Sequence, residues 1–253
     1  MPHHPEITPD EVWDEMFDEI YLKTYSLGLA DRDSAAEAEA AATFAGVQPP
    51  AEILDVPTGF GRHALPLAKL GFHVTGVDRS GVQLSEARRI GGEVEWPKWL
   101  QADFRELPFE DESFDAVLCL FTSIGYRGEE GDRQAFAQFL RVLRPGAPLV
   151  IETLHRDRLM AIFQQRGWEP LEDDAVLLEE RDFDYVAGEG VTKHTYLSVG
   201  ERRSVTFRVR CYTATELVKL LAELGFTGIE CFGDFEGAPL SRETRLVVRA
   251  RRP

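Results

Sequence analysis

Residues 53–61 read Ile53-Leu54-Asp55-Val56-Pro57-Thr58-Gly59-Phe60-Gly61. Ile53 to Val56 is short and apolar apart from one acid, the pattern of a buried strand, and Gly59 and Gly61 permit a tight turn after it. Arg62 to Leu70, stopped by Gly71, then reads as a helix. The unit recurs downstream. Val74-Thr75-Gly76-Val77-Asp78 is a second strand, and Ser80 caps a helix running to about Arg89. Trp99-Leu100-Gln101-Ala102-Asp103 is a third strand and Ala116-Val117-Leu118-Cys119-Leu120 a fourth. Phe136, Phe139, Leu140 and Leu143 fall on one helical face, Pro145-Gly146 ends that helix, and Leu149-Val150-Ile151 is a fifth strand. This alternation over residues 51–153 predicts a parallel sheet with helices on both faces.

Outward from this core the pattern changes on both sides. Toward the N-terminus, Thr8-Pro9-Asp10-Glu11 is a capping box, and Trp13, Phe17, Ile20 and Tyr21 form the apolar stripe of the helix it opens. Ser34 with Glu37 predicts a second capping box, on an alanine-rich helix ending near Gly46 before Pro49-Pro50. Toward the C-terminus, residues from about Val176 to Tyr212 alternate apolar and polar, the period of half-exposed antiparallel strands. Thr213-Ala214-Thr215-Glu216 then caps a helix carrying Leu217, Leu220, Leu221 and Leu224, and two last strands follow, near Ile229 to Phe232 and Leu246 to Arg249. The chain thus divides into an N-terminal helical cap (1–50), an α/β core (51–155), an inserted antiparallel β-hairpin lobe (156–212), and a C-terminal helix with two strands completing the core (213–253).

The 253 residues include 44 acidic and 28 basic side chains, a formal net charge of −16. Such a surface repels phosphate backbones and anionic lipid, which argues against nucleic-acid and membrane partners and for a small-molecule one. At 43% hydrophobic, with 16 Phe and 4 Trp, the chain is too apolar for disorder. No apolar run approaches the ~20 residues of a membrane span, and the N-terminus lacks the basic and apolar regions of a secretion signal. Three widely spaced cysteines, Cys119, Cys211 and Cys231, form no CxxC pair. A cytoplasmic, metal-free monomer or homodimer is the expectation. The acidic clusters Asp10 to Glu19, Glu129 to Asp132 and Glu169 to Asp184 read as solvated surface.

Three aspartates read differently. In an open α/β sheet, ligands bind beyond the carboxyl ends of the strands where strand order reverses. Asp55, Asp78 and Asp103 lie at or just past the ends of the first three strands, where a buried acid is costly unless a donor meets it. Gly59-x-Gly61-x-x-Ala64 lets a ligand approach the backbone, and a carboxylate ending the second strand suits a ribose diol. Each feature alone is weak, because such glycine turns are common and an aspartate often only caps a helix. Together they point to a nucleotide-like ligand. In a nicotinamide fingerprint the first glycine directly follows the strand, and here Asp55 occupies that place.

Read with its neighbours, the motif resembles that of the class I S-adenosylmethionine-dependent methyltransferases, in which a hydrophobic strand, an acid and a three-glycine loop follow one another. Pro57 replaces the first glycine, so the turn there is made without a positive φ. The resemblance continues through Val74 to Ser80, Asp103-Phe104, Ser113 to Val117, Phe121-Thr122-Ser123-Ile124-Gly125-Tyr126, and Leu140 to Gly146. It implies a Rossmann-like doubly wound sheet of about seven strands with the last one antiparallel. It further implies S-adenosylmethionine as cofactor and S-adenosylhomocysteine as product. Asp55, Pro57 and Gly59-Phe60-Gly61 would surround the methionine end, Asp78 would hold the ribose with Arg79 and Ser80 beside it, and Asp103 with Phe104 would meet the adenine. Leu120 and Phe121 would lie near the departing methyl.

Methyl transfer needs chiefly alignment and exclusion of water, with a base only if the nucleophile arrives protonated. His155, just past the fifth strand, and Tyr126 are the candidate catalytic residues, although His155 equally suits a loop position capping the next helix. Tyr21, Tyr25, Phe121, Ser123, Tyr126, His194 and Arg210 are the candidate acceptor wall; for Arg208 and Arg210 an exposed strand face is the plainer reading. The motifs specify the cofactor and say little about the acceptor, for which N or O is expected ahead of C or S. Two alternatives stand beside the small-molecule methyltransferase: a nicotinamide-dependent oxidoreductase, and a non-catalytic protein that binds the same cofactor.

Overall fold

The computed structural model describes residues 16–28 and 33–253, so the capping box at Thr8 and the start of its helix lie outside the described residues. Five strands, β1 (Glu52–Asp55), β2 (His73–Asp78), β3 (Lys98–Gln101), β4 (Ala116–Cys119) and β5 (Pro148–Thr153), form the parallel part of the main sheet. Four more, β6 (Arg166–Pro170), β7 (Val176–Asp184), β8 (Glu189–Ser198) and β9 (Glu201–Arg210), make a separate antiparallel sheet. The chain then returns through β10 (Thr227–Phe232) and β11 (Leu246–Arg251). The main sheet has the order β10-β11-β5-β4-β1-β2-β3, and β11 runs antiparallel to both its neighbours.

The helices are α1 (Glu19–Gly28), α2 (Ser34–Ala45), α3 (Ala64–Lys69), α4 (Gly81–Gly91), α5 (Gly128–Val142), α6 (Arg156–Ile162) and α7 (Ala214–Glu223). Successive strand residues point to opposite faces, so each strand feeds two cores. Leu54, Val117, Leu149 and Val248 pack with Phe136 and Phe139 of α5 and Leu217 and Leu221 of α7. Ile53, Leu118, Val150 and Val247 pack on the other face with Ala38, Ala41 and Ala42 of α2 and Leu67 of α3. All these strand residues are fully or almost fully buried, which is why the strands read as continuous apolar runs.

Local chemistry explains the element ends. Thr213 and Glu216 make both bonds of the capping box expected for α7. At α2 the cap is Asp33, whose carboxylate accepts from the backbone N–H groups of Ala35 and Ala36, and not Ser34. Ser34 and Glu37 instead bond Arg62 from the turn after β1. A carboxylate one residue earlier competes for the same orphan donors, which moved the cap. The helix after the turn is also shorter than its sequence pattern, starting at Ala64.

The expected lobe has four strands, beginning at Arg166 and not near Val176, because Arg166–Pro170 pairs along β7. Arg210 N–H donates to Gly125 O (2.9 Å) and Arg156 N–H to Tyr212 O (3.0 Å), tying this sheet to the core. Gly125 sits at φ +96°, and a Cβ there would lie 2.3 Å from Arg210 O, so only glycine allows that approach. Among the described residues no helix is long and apolar enough to cross a membrane.

Candidate functional site

Strand order reverses between β1 and β4, and a cavity opens there. Its walls come from the turn after β1, the end of β2 and the loop after β4, with Phe17 and Tyr21 above. Asp78 ends β2 and is 5% exposed; its carboxylate accepts from the N–H groups of Gly59 (2.8 Å) and Ser80 (2.8 Å). Burial raises its pKa to about 6 against the pull of those bonds. Beside it Gln83, in the first turn of α4 and almost fully buried, has no hydrogen-bond partner for either amide atom among the described residues. A buried amide left unmet costs free energy that a polar ligand can recover. Asp78 as acceptor and Gln83 as unused donor and acceptor fit the polar edge of a nucleoside, so the residues present suit S-adenosylmethionine.

Asp55 behaves differently. It is 1% exposed, accepts from Thr58 Oγ1 (2.6 Å), and burial drives its pKa to about 7. It braces the turn from behind and does not line the cavity. Gly61 likewise turns its Cα toward Trp99 of β3, where a Cβ would come within 2.5 Å of the indole.

The loop after β4 carries backbone strain. Phe121 and Thr122 sit at φ 61° and 56°, a region that non-glycine residues rarely enter. Their positions are held from β5 and the last loop. Glu152, 6% exposed, accepts from Phe121 N–H (2.7 Å), and its backbone carbonyl accepts from Thr122 N–H (3.0 Å). Arg245 bonds both the Glu152 carboxylate and the Thr122 hydroxyl. The Arg62 guanidinium lies 4.8 Å from the Phe121 ring centroid.

Beyond this strained turn a second cavity lies between the core and the antiparallel sheet. Tyr21, Phe121, Thr122 and Tyr126 line both cavities, so the turn is their common wall. The Tyr126 ring contacts Phe17 (5.4 Å) and Phe207 of β9 (6.2 Å), and Phe207 in turn meets His194 edge-on at 4.9 Å. Behind the loop, Asp132 is completely buried; it accepts from Gly125 N–H (3.0 Å) and Tyr212 Oη (2.7 Å), and burial raises its pKa to about 7.

Of the residues singled out from the sequence, Pro57, Gly59, Phe60, Asp78, Leu120, Phe121, Ser123, Tyr126 and Tyr21 meet at the first cavity. His194 and Arg210 border the second. Asp103, two residues past β3, does not line either cavity; Arg105 bonds its carboxylate through Nε (3.0 Å) and Nη2 (2.7 Å), and Arg79 reaches it at 3.4 Å. Phe104 is buried, and Ser80 caps α4 while donating to Phe17 O (2.8 Å). The side chain of Tyr25 lies outside the described residues.

Three expectations are corrected. His155 is 4% exposed at the start of α6, its buried Nδ1 has no hydrogen-bond partner among the described residues, and it lines neither cavity. Arg210 is no exposed strand face: its side chain is 10% exposed and paired with Glu216 at 2.8 Å. Asp132 and Glu179 do not belong to solvated acidic clusters, since one is fully buried and the other bonds His194.

Gln83, Glu152, Arg245 and Glu179 escaped the sequence reading. Gln83 had a signal, as a polar residue beside Leu84 on the inward face of a helix starting at a β-strand end. Arg245 had none, because its partner Glu152 is 93 residues away.

Residues 53–146 match the family model described as a methyltransferase domain. The chain is similar to the sterol methyltransferase-like 1 of Botryococcus braunii, 38% identical over 110 residues, covering 42% of this chain and 28% of that protein. It is also similar to the demethylmenaquinone methyltransferase of Clavibacter sepedonicus, 36% identical over 142 residues, covering 54% of this chain and 55% of that one. The chain therefore spans about half or less of these two curated relatives. Among solved structures, the CcbJ methyltransferase of Streptomyces caelestis superposes with a TM-score of 0.73 at 26% identity, covering 85% of this chain and 89% of that one.

Proposed function

The chain belongs to the class I S-adenosylmethionine-dependent methyltransferases, and from that premise we propose that it transfers a methyl group to a nitrogen or oxygen of a small-molecule acceptor. The observation that carries this reading is the pair of cavities sharing one strained wall at Phe121 and Thr122, the first suited to a nucleoside and the second to an acceptor.

Asp78 and Gln83 hold the ribose end of S-adenosylmethionine, with Arg79 and Ser80 flanking it. Pro57 to Gly61, braced by Asp55, surround the methionine end, while Asp103, paired with Arg105, and the buried Phe104 stand outside the cavity. Leu120 and Phe121 border the methyl, and Tyr21, Ser123 and Tyr126 continue the wall toward the acceptor. When bound, the cofactor supplies a sulfonium methyl that is already electrophilic. The chain's own part is to align the nucleophile, which orientation alone makes worth roughly 7–11 kcal/mol, and to exclude water. Three aromatic rings, Tyr21, Phe121 and Tyr126, and a clamped backbone at the shared wall serve both ends.

The demethylmenaquinone and sterol names of the relatives support a small organic acceptor, and the net charge of −16 supports it over nucleic acid. We read the protein as a cytoplasmic monomer or homodimer without a membrane partner.

Calorimetric titration with S-adenosylhomocysteine tests the cofactor site. The wild type binds, and Asp78→Ala weakens binding at least tenfold; absence of wild-type binding, or unchanged affinity in the variant, would overturn it. Enhanced fluorescence on mixing with a reduced nicotinamide would favour the oxidoreductase reading instead.

A further inference from the structure

We propose that His194, oriented by Glu179, is the general base of the second cavity and that its substrate is a small polar amine; this rests on the methyltransferase reading above. His194 faces Glu179 directly across the β7–β8 ladder, and its Nε2 lies 3.2 Å from Glu179 Oε1. A carboxylate only accepts, so Nε2 carries a proton, and in the neutral ring Nδ1 keeps its lone pair. Among the described residues Nδ1 has no hydrogen-bond partner, while the ring borders the cavity and is 9% exposed. Phe207 meets the ring edge-on and fixes its plane from β9. The His194 bond, followed by Arg181, holds the Glu179 carboxyl below its ordinary pKa, so the orienting group stays ionised. This base arrives from the lobe, opposite the loop that carries Tyr126, where His155 does not reach.

The charges around the ring indicate the acceptor. Arg181 is paired with Glu179, Arg210 with Glu216, and Arg245 with Glu152. On the far side of His194, Arg203 is paired with Asp18 at 2.8 Å. Asp182 also lines the second cavity, accepts from Phe183 N–H (2.8 Å), and has no cationic partner among the described residues. The three lining arginines are each held by a carboxylate, two of them from outside the cavity, and Asp182, exposed at its edge, is left over to receive a cation. An ammonium fits, and it must lose a proton before it can react.

The step balances. The bound ammonium gives one proton to His194 Nδ1. The freed nitrogen lone pair bonds the methyl carbon as the carbon–sulfur bond breaks, its electron pair remaining on sulfur. The methylated ammonium leaves, and the imidazolium returns its proton to water.

The test uses the full chain. With ¹⁵N-labelled histidine, NMR should show neutral His194 as the Nε2–H tautomer, shifting toward the tautomer mixture of free imidazole in Glu179→Gln. An Nδ1–H tautomer, or an imidazolium persisting from pH 6 to 9, would overturn the proposal. In parallel, labelled S-adenosylmethionine is offered with glucosamine, tyramine and ethanolamine as amine probes. For the probe labelled fastest, His194→Gln lowers kcat by about 100-fold or more and removes the acidic limb of the kcat/KM profile, with S-adenosylhomocysteine affinity within twofold of wild type. A kcat within threefold of wild type, or a surviving limb, overturns it. A wild type that binds S-adenosylhomocysteine but labels none of the amines defeats the base and amine assignment alone, whereas one that fails to bind it defeats the methyltransferase reading.

Discussion

Asp132 holds the loop after β4 from behind, and its protonation sets a pH dependence of stability. In the folded chain its pKa is about 7, against an ordinary value of 3.8, because burial penalises the charge. Between those values the native state binds more protons than the unfolded one, so this group's contribution is fully present below about pH 3.8 and is lost as pH rises through 7. Asp132→Asn removes that loss. The difference in Tm between wild type and variant should therefore shrink from pH 5 to pH 8, and a constant or widening difference would contradict the assignment. The Arg245 contact is a second residue-scale device. Arg245→Met leaves the nearly buried Glu152 carboxylate short of its cation, and we expect a loss of about 1–3 kcal/mol in urea unfolding. S-adenosylhomocysteine should also bind more weakly, because the turn at Phe121 and Thr122 is no longer clamped. Unaltered affinity would separate the strained turn from the cofactor site.

At the scale of elements, β2 and β3 meet through a close contact that the turn after β1 shares. A Cβ on Gly76 would lie 2.6 Å from Trp99 Cζ3 and 2.9 Å from Thr58 Oγ1, while Gly61 faces the same indole. Gly76→Ala should cost about 1–3 kcal/mol by overpacking, measured by chemical denaturation. Adding Trp99→Leu should recover part of it, and a purely additive double variant would show that the indole is not what the methyl meets. Elements were largely legible before the fold was known. The runs at Ile53 to Val56, Val74 to Asp78 and Leu149 to Ile151 became central strands because local apolar character and global burial agree there. Arg166 to Pro170 was not legible. Its residues are mostly exposed and acquire strand geometry only from pairing with β7.

For the whole molecule, the −16 charge divides into exposed acids and a few buried ones with separate tasks. The Gly125–Arg210 bond ties the antiparallel sheet to the loop after β4, and the second cavity lies at that boundary. Saturating S-adenosylhomocysteine should slow hydrogen exchange at residues 57–63, 78–83 and 120–126, and, through that bond, at 209–211. Protection confined to the first two segments would mean that the cofactor does not engage the wall common to both cavities.

The sequence alone determined the parallel core, the placement of Asp55 and Asp78 at strand ends, and the nucleotide-like turn, because these depend on neighbours a few residues apart. Only the tertiary structure decided which groups face the cavities. It withdrew His155, sent Asp103 to Arg105, brought in Gln83, and joined Glu152 to Arg245 and Glu179 to His194. The physical reason is that burial and ion pairing are set by what packs against a residue, and those partners arrive from strands and loops far away along the chain.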